Sequence, residues 1–263
     1  MAGKTAARDL TTALRDLFSN LPECEEASSH GSPDFKVRGK TFASYLVNHH
    51  GDGRVALWLA APEGAQQLYT EMEPEHYFVP PYLGPRGWLG VELSSGVGWN
   101  TVRERVREAY LHVAPRALAG NIPELAAIEP PSVFPGASDI DPFLRPRVQT
   151  LLKRLGRLCA ELPETTPARQ FGNPVWKAGK KTFVGTHYHD GRLQLSFWVG
   201  PEQQAMLTYD DRYRIPAYTG HNGWIELDIE DGVDWNEVAP LLTGSYRHFA
   251  LKRMLKALDQ TDC

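Results

Sequence analysis

The chain has 263 residues, of which 42% are hydrophobic and 23% are charged, and its net charge is -4. This composition is typical of a globular protein. Acidic residues outnumber basic residues in both halves, so any nucleic-acid binding requires a local basic face. No apolar run is long enough to span a membrane, and the N-terminus lacks the apolar core of a secretory signal. We therefore expect a cytoplasmic protein without membrane partners.

The cysteines do not form a recognisable framework. Cys24, Cys159 and Cys263 are far apart in the sequence, and no CxxC pair occurs. An odd, scattered set of cysteines argues against a disulfide scaffold and against a thiolate zinc site.

The second half of the chain restates the first. DGRVAL is followed in the second half by DGRLQL, PYLGPRGW by AYTGHNGW, and GVGWNTV by GVDWNEV. Units of this size are too large for a solenoid repeat, so the pattern indicates a duplicated domain. We predict a first domain at residues 1–120, a proline-rich linker at 121–141 and a second domain at 142–263.

Each copy has the same predicted order of elements. In the first copy, Leu10, Leu14 and Leu17 recur at helical spacing, and strands are predicted at 35–37, 41–46 and 54–59. A short helix, two further strands around PYLGPRGW and a last helix follow. In the second copy, the first helix is predicted to begin at Asp141 and Pro142.

This order predicts the fold class. An α-β-β-β-α-β-β-α sequence of elements indicates an α+β domain, with an antiparallel sheet covered by helices on one face. The chain is therefore expected to hold two tandem copies of that domain.

The loop PYLGPRGW has a structural rather than a ligand-binding pattern. Its two glycines, its tyrosine and its tryptophan are kept in AYTGHNGW, whereas Arg86 is replaced by Asn222. Glycine permits backbone conformations that a tight turn needs. We therefore predict a turn that the fold requires twice, with Trp88 and Trp224 anchoring the core. A second interpretation makes Arg86 and Tyr82 a recognition tip in the first copy.

Basic residues alternate with apolar residues along the predicted hairpins. Alternation in a strand places the cations on one face, where they can meet phosphates. The simpler interpretation is a solvated sheet face whose lysines discourage edge pairing. The candidate nucleic-acid-binding residues are Lys36, Arg38, Lys40, Arg54, Arg86, Lys177, Lys180, Lys181 and Arg192.

Histidines cluster in two loops. His49 and His50 lie in NHHGDG, and His187 and His189 lie in HYHDG. Two histidines on one strand face can bind zinc or copper, but no third ligand is evident from the sequence. Solvated loops are therefore expected here, and no metal is predicted.

Enzyme motifs are absent. The sequence contains no glycine-rich dinucleotide fingerprint, no P-loop, no HExxH and no GxSxG. We therefore expect a protein that is not an enzyme and that carries no cofactor.

The ordered set GSPDFKVRGKTFA, DGRVAL, APEG, VPPYLGPRGWLGVEL and VGWNTVRERVREAYLHVAPRAL resembles the MmcQ/YjbR family. The resemblance covers nearly all of residues 5–120, and more loosely 142–258, so the chain looks like a tandem version. It implies a CyaY-like fold and a double-wing arrangement of hairpins that binds DNA. Fold does not determine function. The alternative is a module that binds a protein or a small ligand on its sheet face or between the copies, without a nucleic-acid role.

Overall fold

The computed structural model describes residues 8–29, 32–120 and 129–261. The chain divides into two compact units, Met1–Asp141 and Pro142–Cys263. Residues 129–141, the part of the predicted linker that the structure describes, belong to the first unit. Residues 121–128 and Cys263 lie outside the described residues.

The first unit is a six-stranded antiparallel sheet with helices. Its strand order is β1-β2-β3-β4-β6-β5. Its strands are β1 Cys24–Ser29, β2 Ser32–Val37, β3 Lys40–Val47, β4 Val55–Leu59, β5 Tyr77–Phe78 and β6 Leu89–Glu92. Its helices are α1 Leu10–Ser19, α2 Ala65–Met72, α3 Trp99–Val113, α4 Arg116–Ala119 and α5 Ala137–Ile140.

The second unit repeats this topology. Its strand order is β7-β8-β9-β10-β12-β11. Its strands are β7 Thr165–Gln170, β8 Asn173–Ala178, β9 Lys181–His189, β10 Arg192–Trp198, β11 Tyr213–Arg214 and β12 Trp224–Asp228. Its helices are α6 Pro146–Ala160, α7 Pro201–Leu207, α8 Trp235–Phe249 and α9 Lys252–Thr261.

Helices cover one face of each sheet and enclose the core. In the first unit, Phe18 of α1 stacks on Phe35 of β2 with ring centroids 3.6 Å apart. Tyr110 of α3 meets Phe42 edge to face at 5.4 Å, and its hydroxyl donates to the carbonyl oxygen of Pro22 at 2.7 Å. Buried aromatic rings supply much of the apolar area that stabilises such a core. The expected α+β class, present twice, is confirmed.

Each sheet has one strand more than predicted. The additional strands, β1 and β7, pair only with β2 and β8 and form a sheet edge. Their sequences, CEEASS and TTPARQ, lack the alternation of apolar and polar residues that identifies a half-buried strand. Charged residues and proline are typical of edge strands, because an edge strand must not pair further.

In each unit, a glutamine side chain holds the glycine loop, PYLGPRGW or AYTGHNGW, by two hydrogen bonds. Gln66 on α2 donates from Nε2 to the carbonyl oxygens of Gly84, at 2.9 Å, and of Trp88. Its counterpart Gln204 makes the same two bonds in the second unit. Gly87 closes the turn with φ at 80°, a conformation that favours glycine. These contacts are consistent with a turn that serves the fold in both copies.

No helix in the described part of the chain is long and apolar enough to cross a membrane.

Candidate functional site

Three of the predicted nucleic-acid-binding arginines, Arg38, Arg54 and Arg192, form ion pairs with carboxylates of the same unit. Arg38 forms a bidentate ion pair with Glu23. Arg192 pairs with Asp228 and Asp231. The two carboxylates raise the pKa of Arg192 through their hydrogen bonds, so this guanidinium stays charged but is locally neutralised.

Arg54 is also held within its own unit. Its Nε lies 3.7 Å from a carboxylate oxygen of Glu92, and its guanidinium stacks 4.1 Å over the ring of Phe78. Arginines engaged in this way have few donors left for a phosphate.

The remaining predicted cations have no ion pair with any residue that the structure describes. They are Lys36, Lys40, Arg86, Lys177, Lys180 and Lys181. The two units differ in what lies beside them. Lys36 is paired across the ladder with Glu25, whereas its counterpart Lys177 is paired with Thr166. Lys177, Lys180 and Lys181 thus lie at one end of the second sheet, and the strand position opposite Lys177 holds Thr166 rather than an acidic residue.

The histidine loops do not form a metal site in the described residues. No group of three or more His, Cys, Asp or Glu side chains in residues 8–29, 32–120 and 129–261 could hold a metal ion. His49 instead packs edge to face on Trp58, with centroids 4.7 Å apart, and Nε2 of His50 lies 3.2 Å from the hydroxyl of Tyr82. Nε2 of His189 lies 3.3 Å from a carboxylate oxygen of Asp190.

The face of each sheet that the helices leave open carries a row of six residues, one from each strand. Residues paired across an antiparallel ladder point to the same face, so the strand registers define each row. The first row is Ala27, Asp34, Ser44, Trp58, Gly90 and Phe78. The second row is Ala168, Val175, Gly185, Ser196, Glu226 and Arg214.

The first row is filled. Trp58 is only 4% exposed, and the ring of Phe78 lies against Gly90. Ser44 donates its hydroxyl hydrogen to Asp34 at 2.5 Å. The rings of Trp58 and Phe78 thus occupy this position of the sheet.

The second row is open. Ser196 stands where the first row has Trp58, and Gly185 stands where it has Ser44. Two side chains have become smaller, so a cavity of about 580 Å³ lies over β8 and β9. Its lining residues are Gln170, Phe171, Asn173, Val175, Lys181, Thr182, Gly185, Thr186, His187, Ser196, Thr219, Trp224 and Phe249.

The β7–β8 hairpin forms one wall of this cavity. The hydroxyl of Thr182 on β9 donates to Oε1 of Gln170 at 3.2 Å, which brings the hairpin tip over the open face. Phe171 at that tip is 66% exposed, although an aromatic side chain gains by burial. Opposite, Trp224 packs against Phe249 with centroids 5.6 Å apart. Trp224 thus lines the cavity, whereas Trp88 packs against the core of the first unit.

A buried charge cluster borders the cavity. Glu226 is 5% exposed, and its Oε1 lies 3.1 Å from Nε2 of His187, while Oε2 pairs with Arg214. Burial alone would raise the pKa of Glu226, but the hydrogen bond from His187 and the charge of Arg214 hold that pKa below its ordinary value. Glu226 is therefore ionised at neutral pH, and Arg214 supplies the opposite charge.

Apart from Oε2 of Glu226, which is in an ion pair with Arg214, two polar atoms in this cluster have no hydrogen-bond partner in the described structure. They are Oε1 of Gln194, a residue that is 3% exposed, and Nε of Arg214. Gln194 is paired with His187 in the β9–β10 ladder, so it lies beside the cavity on the same face. Leaving a buried polar atom unpaired costs about 1–3 kcal/mol. Unpaired groups beside an open cavity are typical of a binding site.

The first unit contains a separate cavity, of about 370 Å³. It lies at the start of α3, beside Leu10, Val97, Trp99 and Phe134. Nε1 of Trp99 is buried without a hydrogen-bond partner in the described structure. The lining of this cavity is mostly apolar, and no charged side chain of the described residues lines it.

Sequence reasoning found His187, Lys177 and Lys181 but not the acidic and small residues beside them. Glu226 and Arg214 occupy short strands in which no local pattern marks a buried ion pair. The alignment of the two copies contains a signal that could have identified these residues. Pairing the two copies position by position places Ser196 against Trp58 and Glu226 against Gly90.

A comparison with curated proteins finds no match. Among solved structures, the crystal structure of Deinococcus radiodurans protein DR2400, which has a DUF419 domain, is 22% identical to this chain. The match covers 41% of this chain and 87% of that chain, with a TM-score of 0.35.

The YjbR family model matches the chain twice, at residues 19–112 and 160–248. The two matches fall in the two structural units and together span most of the sequence. The resemblance seen in the sequence is confirmed, and this chain belongs to the YjbR family as a tandem duplication.

Proposed function

We propose that this chain is a non-enzymatic binding protein that holds a small organic ligand on the open face of its second sheet. The replacement of Trp58 in the first row by Ser196 in the second carries this proposal, because it turns a filled face into a cavity. At about 580 Å³, the cavity has the size of a small-molecule site.

The character of the lining supports the same function. Aromatic walls at Phe171 and Trp224 stand beside His187 and the buried pair of Glu226 and Arg214. Ligand sites commonly combine apolar walls with a few fixed polar groups that set orientation. The unpaired Oε1 of Gln194 adds an acceptor on the same face.

The two cysteines that the structure describes support a role without thiol chemistry. Burial raises the pKa of Cys24 and of Cys159 to about 12. Both thiols therefore stay protonated at neutral pH, and a protonated thiol is a poor nucleophile.

The test uses the neutral fluorophore N-phenylnaphthylamine, titrated into the wild-type chain and into Ser196→Trp. The variant restores the residue of the first row, so the probe signal should fall where the cavity is filled. Signal that persists in Ser196→Trp comes from probe bound elsewhere, for example in the cavity beside Trp99. Far-UV circular dichroism establishes that the variant is folded. An unchanged titration curve would refute a ligand site on the second sheet.

Phe171→Ala supplies a second variant that leaves the core untouched. Because Phe171 is largely exposed, its removal should not affect folding, while it removes one wall of the cavity. We expect weaker probe binding in this variant. Probe affinity equal to that of the wild type in both Phe171→Ala and Ser196→Trp would contradict the proposal.

DNA binding through the hairpins is a second candidate function. It is favoured by Lys177, Lys180 and Lys181, which have no ion pair among the described residues and lie at one end of the second sheet. The family resemblance implies the same role. Each phosphate contact adds affinity that weakens as salt rises.

A titration of labelled duplex and single-stranded DNA at low and moderate salt tests this candidate. We expect Lys177→Ala/Lys180→Ala/Lys181→Ala to bind more weakly and with a smaller salt dependence than the wild type. Arg38→Ala is the matched control, because Arg38 is already paired with Glu23. Absence of salt-dependent binding in the wild type would exclude the wing mechanism.

A further inference from the structure

We infer that the ligand of the second sheet is a planar aromatic acid, held with its ring on the sheet and its anionic group toward the lysine end of β8 and β9. This inference rests on the proposed function, because it names the ligand class of the same cavity. Charge, shape and the contrast with the first unit each support it.

The charge of the lining favours an anion. Among the residues that the structure describes, the lining contains the cation Lys181 and no carboxylate. Lys177 adds a second cation, since its ladder partner Thr182 lines the cavity and paired residues share a face. The buried carboxylate of Glu226 is already in an ion pair with Arg214 and in contact with Nε2 of His187. A negative group on the ligand would therefore meet positive charge without a competing acid in the lining.

The shape of the floor favours a flat ring. Val175, Gly185 and Ser196 are adjacent in the second row and present small side chains. A Cβ atom at Gly185 would lie 3.3 Å from a methyl group of Val175, so the floor is closely packed as well as flat. The rings of Trp224 and Phe171 line the sides of the cavity. Aromatic side chains stack with or pack edge to face against a planar ligand.

The first unit carries two acidic residues at positions where the second unit has uncharged ones. Asp34 stands where the second row has Val175, and Glu25 faces Lys36 where Thr166 faces Lys177. The acidic residues of the first face would repel an anion. The change of residues between the copies therefore opens the second face and also makes it more positive.

Two probes that differ only in a sulfonate group test this inference: anilinonaphthalene sulfonate and neutral N-phenylnaphthylamine. We expect the anionic probe to bind the wild-type chain at least about fivefold more tightly at low salt, a difference of the size that one partly exposed ion pair produces. The preference should decrease as salt is added.

Lysine variants locate the charge effect. Lys177→Ala/Lys181→Ala should weaken the anionic probe by a similar factor and leave the neutral probe unchanged. The matched control is Lys36→Ala/Lys40→Ala on the first unit, which should change neither affinity. Ser196→Trp should weaken both probes.

The outcomes separate the two proposals. Equal binding of the two probes, both lost in Ser196→Trp, would overturn the aromatic-acid inference and leave the ligand site intact. Binding of both probes that is unaffected by Ser196→Trp and Phe171→Ala would overturn the ligand site itself. An anion preference that survives Lys177→Ala/Lys181→Ala would overturn the assignment of the charge to these lysines.

Discussion

The ring of Phe78 lies directly against the α-carbon of Gly90 on the open face of the first sheet. A Cβ atom at Gly90 would come within 2.5 Å of ring carbon Cζ and 2.6 Å of two others. The guanidinium of Arg54 stacks on the same ring, 4.1 Å from its centroid. Glycine is therefore required here for close approach, and the same position holds Glu226 in the second unit.

Gly90→Ala should accordingly destabilise the first unit by about 1–3 kcal/mol, because the methyl group overpacks a filled face. Urea unfolding followed by circular dichroism measures the change. Gly244→Ala is the control, since Gly244 is an exposed residue within α8 with nothing within 4 Å of a Cβ. That substitution should stabilise its helix by about 0.5–1 kcal/mol. Equal effects at the two positions would show that the Phe78 contact is not tight.

Removal of the glutamine beneath the glycine loop should destabilise the second unit. Gln204→Ala leaves the carbonyl oxygens of Gly220 and Trp224 without their side-chain donor. The residue is 9% exposed, so we expect a loss of about 1–3 kcal/mol in the free energy of unfolding. Gln203→Ala, at the exposed neighbouring position, should change it by less than about 0.5 kcal/mol. Similar losses for the two variants would refute the role of Gln204.

The role of this glutamine shows what the sequence does and does not reveal about the loop. The repeated glycines of PYLGPRGW and AYTGHNGW identify a turn that the fold requires, and the change of Arg86 to Asn222 argues against ligand contact. The fastening residue lies in a different element, and its partners are backbone atoms. A residue that acts through the backbone leaves no pattern in the loop sequence.

The duplication and the α+β class follow from the sequence because they depend on strong local periodicity and on repeated order. The edge strands do not, since β1 and β7 bury too little to show alternation. The sequence predicts the start of α6 at Pro142, four residues before the helix begins in the structure. The segment beginning at Pro142 forms a short 3-10 turn around buried Phe143, and the helix begins at the next proline, Pro146.

The candidate site could be predicted only in part from the sequence, for a related reason. Which strand positions share a face depends on register, and register is a property of the paired strands rather than of one segment. Ser196, Glu226 and Arg214 come from three different strands and become neighbours only through pairing. Lys177 and Lys181 were identified because their hairpin is continuous in sequence.

A double-mutant cycle tests the exchange between the two rows. Arg214→Phe or Glu226→Gly alone removes one partner of an ion pair whose carboxylate is buried and whose guanidinium is partly exposed, which should cost about 1–3 kcal/mol. The double variant Arg214→Phe/Glu226→Gly recreates the arrangement of Phe78 over Gly90. We expect it to be more stable than either single variant, as measured by urea unfolding. Strictly additive losses would contradict the equivalence of the two pairs.

The same pair should make the second unit sensitive to acid. The pKa of Glu226 is lowered from its ordinary value of 4.5, so the folded state binds this proton less readily than the unfolded state. The stabilisation is present above the ordinary value and is lost as the pH falls through the lower, folded-state value. Unfolding free energies measured as the pH falls below about 4.5 should decline more steeply in the wild type than in Arg214→Phe/Glu226→Gly. Parallel declines would exclude Glu226 as the source.

His49 should give the first unit a second, separate pH dependence. Burial against Trp58 lowers the pKa of His49 below its ordinary value of 6.5, and the neighbouring His50 lowers it further. The unfolded chain then takes up the proton more readily, so stability is present at neutral pH and is lost as the pH falls from about 6.5 through the folded-state value.

His49→Gln removes this titration, and its unfolding free energy should therefore change less than that of the wild type between about pH 7.5 and about pH 5.5. His112→Gln, at an exposed position near the end of α3, is the control and should retain the wild-type decline. The fluorescence of Trp58 reports the same event, because protonation of the ring that packs on it changes the charge beside the indole. A decline in His49→Gln equal to that of the wild type would show that the packing of His49 on Trp58 does not control its protonation.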